Sequence, residues 1–241
     1  MRLDNYLVEI NQFDSRTKAK QAIERGEIYV NGALITKCAF EIDENKAPEI
    51  KRLYAESFVS LGGYKLSKAL FDFNFSVKDL IVADIGASTG GFTDCLLQSG
   101  AKTVYAVDLN DGLLHEKLKN DKRVVSIIKN ARSLTTEDFA FQLNLIVADL
   151  SFISATYVLE VFSRLLKSGG NLLLLIKPQF ETGERKKFKN GIIRDEKIRN
   201  IACEKVITCA KEYGFILKAM TTAPIVEGKN LEYLALFEKT F

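Results

Sequence analysis

From Leu61 onward, short apolar runs alternate with amphipathic segments, and this alternation leaves the chain few architectures to choose from. The strand candidates are Leu80–Ala83, Thr103–Val107, Val124–Ile128, Leu145–Ala148, Asn171–Ile176, Ile216–Thr221 and Leu231–Phe237. Helical spacing recurs between them, over Lys65–Phe73, Gly91–Gln98, Thr156–Leu166 and Asp195–Tyr213. Repeated strand–helix units predict an α/β protein with a mostly parallel sheet covered on both faces. Only a loop, Ala223–Asn230, separates the last two strands, which favours an antiparallel hairpin at one edge.

The 241 residues leave room for a small companion to that sheet, and residues 1–43 read as one. Leu3, Tyr6, Leu7 and Ile10 recur at helical spacing, and Ser15 caps a second helix carrying Ala19, Ala22 and Ile23, which Gly26 ends. Ile28-Tyr29-Val30 then alternates as a strand, Asn31-Gly32 signals a hairpin, and Leu34-Ile35 returns. Residues 44–60 are read as a linker that includes Pro48, with a small connecting strand as the alternative, and residues 61–241 as the second domain. The unit holds six basic residues (Arg2, Arg16, Lys18, Lys20, Arg25 and Lys37) against five acids in residues 1–40. Contact with a polyanion there must therefore depend on a one-sided arrangement of cations.

Composition narrows the function classes. The longest uncharged stretches, Phe139–Ala148 and Leu150–Leu159, are far shorter than the roughly 20 apolar residues of a spanning helix, so no membrane partner is expected. The first residues mix charge with apolar side chains and lack the apolar core of a secretory signal, so the expected location is cytoplasmic. Cys38, Cys95, Cys203 and Cys209 form no C-x-x-C pair and read as core thiols. With His115 as the one histidine, no metal site is expected.

A glycine-rich turn, Asp84-Ile85-Gly86-Ala87-Ser88-Thr89-Gly90-Gly91-Phe92-Thr93-Asp94, follows the first strand of the large domain and opens a helix. Such a turn lets backbone approach a ligand at the carboxyl edge of an open sheet. It does not fit the dinucleotide fingerprint, because Ser88 stands at the second glycine position, and it lacks the Gly-Lys-Ser/Thr of a phosphate-binding loop. Gly86-Ala87-Ser88-Thr89-Gly90 matches the nucleophile elbow of hydrolases. That reading needs a late histidine, however, and His115 comes only 27 residues after Ser88 with most of the sheet still to follow. Asp108, which ends the second strand, is placed to accept hydrogen bonds from ribose hydroxyls, and Asn130-Ala131-Arg132 follows the third strand near where a base would lie.

Four charged residues fall at sheet-edge positions. Lys65 opens the helix before the first strand, Asp149 ends the fourth, Lys177 ends the fifth directly after four leucines and an isoleucine, and Glu232 lies at the start of the last. Arg185-Lys186-Lys187-Phe188-Lys189 adds a basic run that reads as a solvated loop or a phosphate contact.

These features resemble known families. The run Arg2-Leu3-Asp4, Ser15-Arg16, Ala19, Ile23, Gly26, Val30-Asn31-Gly32 and Lys37 resembles the αL-type RNA-binding domain of ribosomal proteins and RNA-modifying enzymes. The sheet and the Asp84-x-Gly-x-x-x-Gly loop resemble the Rossmann-like class I methyltransferases, with a seven-stranded sheet and S-adenosyl-L-methionine as cofactor. Lys65, Asp149, Lys177 and Glu232 resemble the Lys-Asp-Lys-Glu tetrad of the FtsJ-type ribose 2′-O-methyltransferases; Glu227 is the alternative fourth member, but Asn230-x-Glu232-Tyr233 fits the pattern better. Together with Leu61-Gly62-Gly63-Tyr64-Lys65-Leu66, Asp149-Leu150-Ser151-Phe152-Ile153-Ser154 and Lys177-Pro178-Gln179-Phe180-Glu181, the whole chain is similar to the TlyA family. Leu61 stands where many relatives carry Arg, which would remove one RNA contact.

The resemblance implies cytidine 2′-O-methylation of ribosomal RNA within ribosomal subunits, although family members also often carry the name haemolysin. It implies a cofactor site of Asp84, Gly86, Ala87, Ser88, Gly90, Gly91, Phe92, Asp108, Leu109, Asn130, Ala131 and Asp149. RNA contacts are expected from the six basic residues of the first domain and from Phe152, which would stack on the target base. The alternatives are a non-catalytic RNA-binding assembly factor and, third, a membrane-active haemolysin.

Overall fold

The computed structural model describes every residue except Arg25, Gly32, Glu44, Asn45, Ala47, 53–57, Asp111, 184–187, 225–227 and Phe241. The expectations for Arg25, for Glu227 and for Arg185, Lys186 and Lys187 of the basic run therefore lie outside the described residues, as does Gly32 of the hairpin. The chain divides into two compact units, Met1–Ser57 with Pro224–Glu227, and Phe58–Ala223 with Gly228–Phe241.

In the first unit, α1 (Leu3–Glu9) and α2 (Arg16–Glu24) precede a small antiparallel sheet of β1 (Ile28–Val30), β2 (Ala33–Ile35) and β3 (Ile50–Arg52). Leu3, Leu7, Ala19, Ala22, Ile23, Ile28 and Val30 make its core, the residues that the helical and strand periodicities single out. Ser15 Oγ accepts the Lys18 backbone N–H at 3.3 Å, as a cap should, and Gly26 takes φ +74°. The strand within the expected linker is real and belongs to this unit, pairing with β1 so that β1 lies in the middle. Asn31 holds it there: its N–H donates to the Glu49 carbonyl and its Oδ1 accepts the Glu49 N–H, both at 2.9 Å.

The second unit carries α3 (Gly62–Asp72), β4 (Ile81–Ile85), α4 (Gly91–Gln98), β5 (Thr103–Asp108), α5 (Glu116–Lys119) and β6 (Val124–Ile128). There follow β7 (Leu143–Ala148), α6 (Leu159–Leu165), β8 (Leu166–Ile176), α7 (Pro178–Glu181), α8 (Glu196–Glu212), β9 (Phe215–Thr222) and β10 (Tyr233–Lys239). Its seven strands lie in the order β6-β5-β4-β7-β8-β10-β9. The first five are parallel, and β10 runs antiparallel to both of its neighbours. The closing hairpin is thus at one edge, but its second strand sits inside and β9 forms the rim.

The leucine run shows why the central strands are apolar at every position. Leu172, Leu174 and Ile176 bury against α6 and α8, while Leu173 and Leu175 bury against α3 and α4. Helix α8 buries Ala202, Cys203, Val206 and Ala210 as a cover for the first face, so its amphipathic pattern is accounted for by the sheet. The helix expected over 156–166 is shorter, because a 3₁₀ turn at Ala155–Tyr157 precedes it and Val158, at φ −120°, breaks the path between them. Cys38, Cys95 and Cys203 are buried free thiols, and burial pushes those of Cys95 and Cys203 up to about 12.

Candidate active site

The parallel strands β4, β7 and β8 end at the edge where antiparallel β10 begins, and the four tetrad candidates meet there. The turn after β4 is tied to its neighbours by backbone: Gly86 and Ala87 N–H both donate to the Val107 carbonyl, at 2.8 and 3.0 Å, and Asp149 N–H donates to the Ile85 carbonyl at 3.0 Å. Gly86 sits at φ +86°, and a Cβ on it would lie 2.6 Å from the Asp149 carbonyl oxygen. Glycine is therefore required twice over, for the left-handed backbone and for the approach to β7. Gly90, at φ +93°, leads into α4, which begins with Gly91 and the buried Phe92.

Two carboxylates frame this turn. Asp108 accepts the Ser88 N–H on Oδ2 at 2.9 Å and the Asn110 N–H on Oδ1 at 3.1 Å. These bonds fix its orientation and leave lone pairs to spare. With Ala87, Ser88, Asn110, Ile127 and Ile128 it lines a cleft of about 140 Å³. Leu109 is exposed beside it, whereas Asn130 and Ala131 are not in its lining. Asn130 instead accepts the Arg132 N–H, at 3.0 Å, as the cap of a 3₁₀ turn at Ala131–Ser133.

Asp84 is fully buried: Oδ2 accepts the Thr93 hydroxyl at 2.6 Å, and Oδ1 has no hydrogen-bond partner among the described residues. Burial, reinforced by the nearby negative charge of Asp149 and only partly offset by Thr93, raises its pKa to about 7. The folded chain thus holds a proton that the unfolded chain releases near 3.8. Asp84 costs nothing below that pH, where both states are protonated, and the cost grows as pH rises toward 7. Thermal midpoints of the wild type should accordingly fall between pH 5 and 8 relative to Asp84→Asn; parallel curves would contradict a buried protonated carboxyl.

The four tetrad candidates form two ion pairs. Lys65 Nζ donates to Glu232 Oε2 at 2.6 Å. Lys177 Nζ lies 2.5 Å from Asp149 Oδ1 and donates to Ser151 Oγ at 2.8 Å. The Asp149 contact is off the hydrogen-bonding direction, so that attraction is Coulombic while the directed bond goes to Ser151. Tyr233 pairs with Ile176 across β10 and β8, so the residues flanking that rung at the sheet edge are Glu232 and Lys177, and the two ion pairs are neighbours. Lys177 is only 7% exposed. Ser151 and Phe180 were not among the expected site residues. The spacing Asp149-x-Ser151 at a strand end was the available signal, since alternate residues share a side.

Phe152 is 80% exposed and holds φ +68°, a left-handed conformation rare for an aromatic residue. Its ring lies 5.4 Å from that of Phe180, tilted by 48°. The segment behind it is pinned by Glu181, whose carboxylate accepts the Ser154 hydroxyl and, at 2.9 Å, the Ala155 N–H.

In the first unit, Arg2 and Arg16 converge on the buried Asp4. Arg2 reaches both carboxylate oxygens at 3.0 Å and Arg16 reaches Oδ2 at 2.9 Å. Burial alone would push Asp4 up, but the two guanidinium groups outweigh it and hold its carboxyl below the usual range. Both arginines stay about half exposed. Lys18 pairs with Asp14 at 2.8 Å and Lys20 with Glu24 at 3.7 Å, while Lys37 is exposed. At 100° per residue, Arg16 and Lys20 share one flank of α2 and Lys18 lies on the other, so the helix alone does not present the three as a single stripe.

Residues 58–239 match the sequence profile of the FtsJ-like methyltransferases, and residues 1–46 match the S4 domain. The 16S/23S rRNA (cytidine-2′-O)-methyltransferase TlyA of Mycobacterium tuberculosis is 35% identical over 96% of this chain and 87% of its own. The chain belongs to the TlyA family of FtsJ-like methyltransferases. Within the family's range it is also 43% identical to Hemolysin A of Brachyspira hyodysenteriae, over 98% of this chain and 99% of that one. A solved Streptococcus thermophilus protein that likewise carries a hemolysin name is 41% identical, with a TM-score of 0.73 over 100% of this chain and 88% of that one. Among the described residues of this family member, no helix is long and apolar enough to cross a membrane.

Proposed function

We propose that the chain transfers the methyl group of S-adenosyl-L-methionine to the ribose 2′-oxygen of a cytidine in ribosomal RNA, with ribosomal subunits as substrate. The observation that carries this reading is the pair of neighbouring lysine–carboxylate ion pairs at the strand ends beside the glycine turn. The residues present fit the cofactor. Asp84 keeps a buried oxygen without a partner among the described residues, and Asp108, held by two backbone N–H groups with lone pairs to spare, lines with Ala87 and Ser88 a cleft of about 140 Å³. Asp84, Gly86, Ala87, Ser88, Gly90, Gly91, Phe92, Asp108 and Leu109 would hold it, with Asn130, Ala131 and Asp149 at the margin. When bound, the cofactor supplies an electrophilic methyl group on a sulfonium.

The chain's own residues must align the oxygen and manage its proton. Lys177 takes the 2′-hydroxyl proton as the oxygen attacks. Asp149 holds that lysine by charge, and Glu232 holds Lys65 beside it. Phe152 presents a face on which an extruded base stacks, and the strain of its φ is the kind that persists where function requires it. Arg2, Arg16, Lys18, Lys20 and Lys37 of the first unit supply phosphate contacts that position the RNA.

Phe152→Gly separates the two roles of that position. Relief of the left-handed strain should leave stability equal or raised by about 1 kcal/mol. Methyl transfer under limiting RNA should fall about tenfold or more as stacking is lost. Thermal unfolding together with initial rates checks both, and a rate equal to wild type would remove Phe152 from the RNA site. The reaction itself is tested by incubating the protein with cofactor and subunits from cells lacking the enzyme, then analysing the digested nucleosides by mass spectrometry. 2′-O-methylcytidine is expected, and a base-methylated product or no product would contradict the reading.

A further inference from the structure

A base that accepts a proton at every turnover must also lose it, and Lys177 is poorly placed to do so alone. It is 7% exposed, with the Phe180 ring centred 5.9 Å from its ammonium. The Asp149 oxygen it touches is itself sealed from solvent and lies off the hydrogen-bonding direction, which makes it a poor first acceptor for that proton. Glu232 and Lys65 on the neighbouring element ends are engaged with each other, and Asp84 is fully buried. Ser151 differs from all of these: it is exposed and its Oγ accepts directly from Lys177 Nζ at 2.8 Å. Because that oxygen accepts from the ammonium, its own hydrogen points away from Nζ, and the residue's exposure puts water within its reach.

We propose that Ser151 is a positioning residue that relays the Lys177 proton to solvent. The inference rests on the methyl-transfer reading above. The step balances without any further reactant. The Lys177 ammonium passes a proton to Ser151 Oγ while the Ser151 hydroxyl proton passes to water, leaving a neutral amine and an unchanged serine. That amine then accepts the 2′-hydroxyl proton as the new C–O bond forms and the sulfonium C–S bond breaks, which restores the ammonium. Ser151 also fixes the direction of Nζ, which the Asp149 contact by itself does not.

The test compares Ser151→Ala and Ser151→Thr with the unaltered chain in single-turnover methyl transfer, using labelled S-adenosyl-L-methionine and unmodified ribosomal subunits in water and in mixtures with heavy water. Ser151→Ala should be slower by about tenfold, with cofactor affinity within twofold. Ser151→Thr, which keeps the hydroxyl, should return to within about threefold of the unaltered rate. The rate of the unaltered chain should curve with deuterium fraction, because two protons move together, and that of Ser151→Ala should be linear. A Ser151→Ala rate equal to the unaltered one, or a Ser151→Thr rate as low as that of Ser151→Ala, would overturn the relay while leaving the methyl-transfer reading intact. No transfer by the unaltered chain would instead strike that reading.

Discussion

Lys177→Ala should abolish methyl transfer, by about 10³-fold or more in single turnover, while leaving cofactor affinity within a few-fold. The size follows from where the ammonium sits. Lys177 is the sheet-edge lysine held by both a carboxylate and a hydroxyl, at 2.5 and 2.8 Å, in a wall that excludes most water. On the proposed reading its removal takes away the proton acceptor without touching the glycine turn. Lys177→Arg should fail almost as completely, because a guanidinium keeps its charge and cannot accept the proton. Calorimetric titration of the cofactor beside the rate measurement separates the cases. A large loss of cofactor affinity in Lys177→Ala would assign the residue to binding rather than to proton transfer.

The second large effect is expected at Gly86. An alanine there meets the Asp149 carbonyl oxygen at 2.6 Å and must also hold φ +86°, so either the turn or the end of β7 has to move. The strain alone amounts to about 1–3 kcal/mol. The movement would disturb the turn and, through Asp149, the seat of Lys177, so cofactor affinity should fall by about tenfold or more and transfer with it. Gly169→Ala, away from that cleft, is the matched control: its φ is +71° but a Cβ there meets nothing within 4 Å among the described residues. It should pay the backbone strain and little else. Equal cofactor affinities for the two variants would show that the contact with β7 does not matter.

Much of this arrangement was legible in the sequence, for a physical reason in each case. Parallel strands buried on both faces must be apolar throughout, so Leu172–Ile176 announced a central strand and the lysine after it announced a sheet edge. The glycine turn was readable because only that residue type tolerates the backbone at Gly86 and Gly90. Other features were hidden because they depend on pairing across long separations. The residues of β3 carry no strong strand signal, and it is Asn31, clasping Glu49, that docks them on β1. Likewise the position of β10 inside the sheet depends on its antiparallel match with β8, which local periodicity does not encode.

At the candidate site, sheet-edge position and residue type singled out Lys65, Asp149, Lys177 and Glu232, but not who pairs with whom. Two lysines and two acids admit either pairing, and the structure selects Lys65 with Glu232 and Lys177 with Asp149. Phe152 was singled out for base stacking, but its left-handed φ and the bond from Lys177 to Ser151 were not legible, because the identities of a phenylalanine and a serine report neither backbone angle nor partner. Among the cations, side-chain type alone could not reveal that Arg2 and Arg16 share one buried carboxylate.

The most direct test of the account places the methyl group. Ribosomal subunits lacking the modification would be incubated with the protein and labelled S-adenosyl-L-methionine, and the RNA then cleaved with alkali, which needs a free 2′-hydroxyl at each bond it breaks. The account predicts that the label is recovered in a fragment uncut on the 3′ side of a cytidine, and that Lys177→Ala yields none. Label released in ordinary mononucleotides would put the methyl group on a base and contradict the central claim.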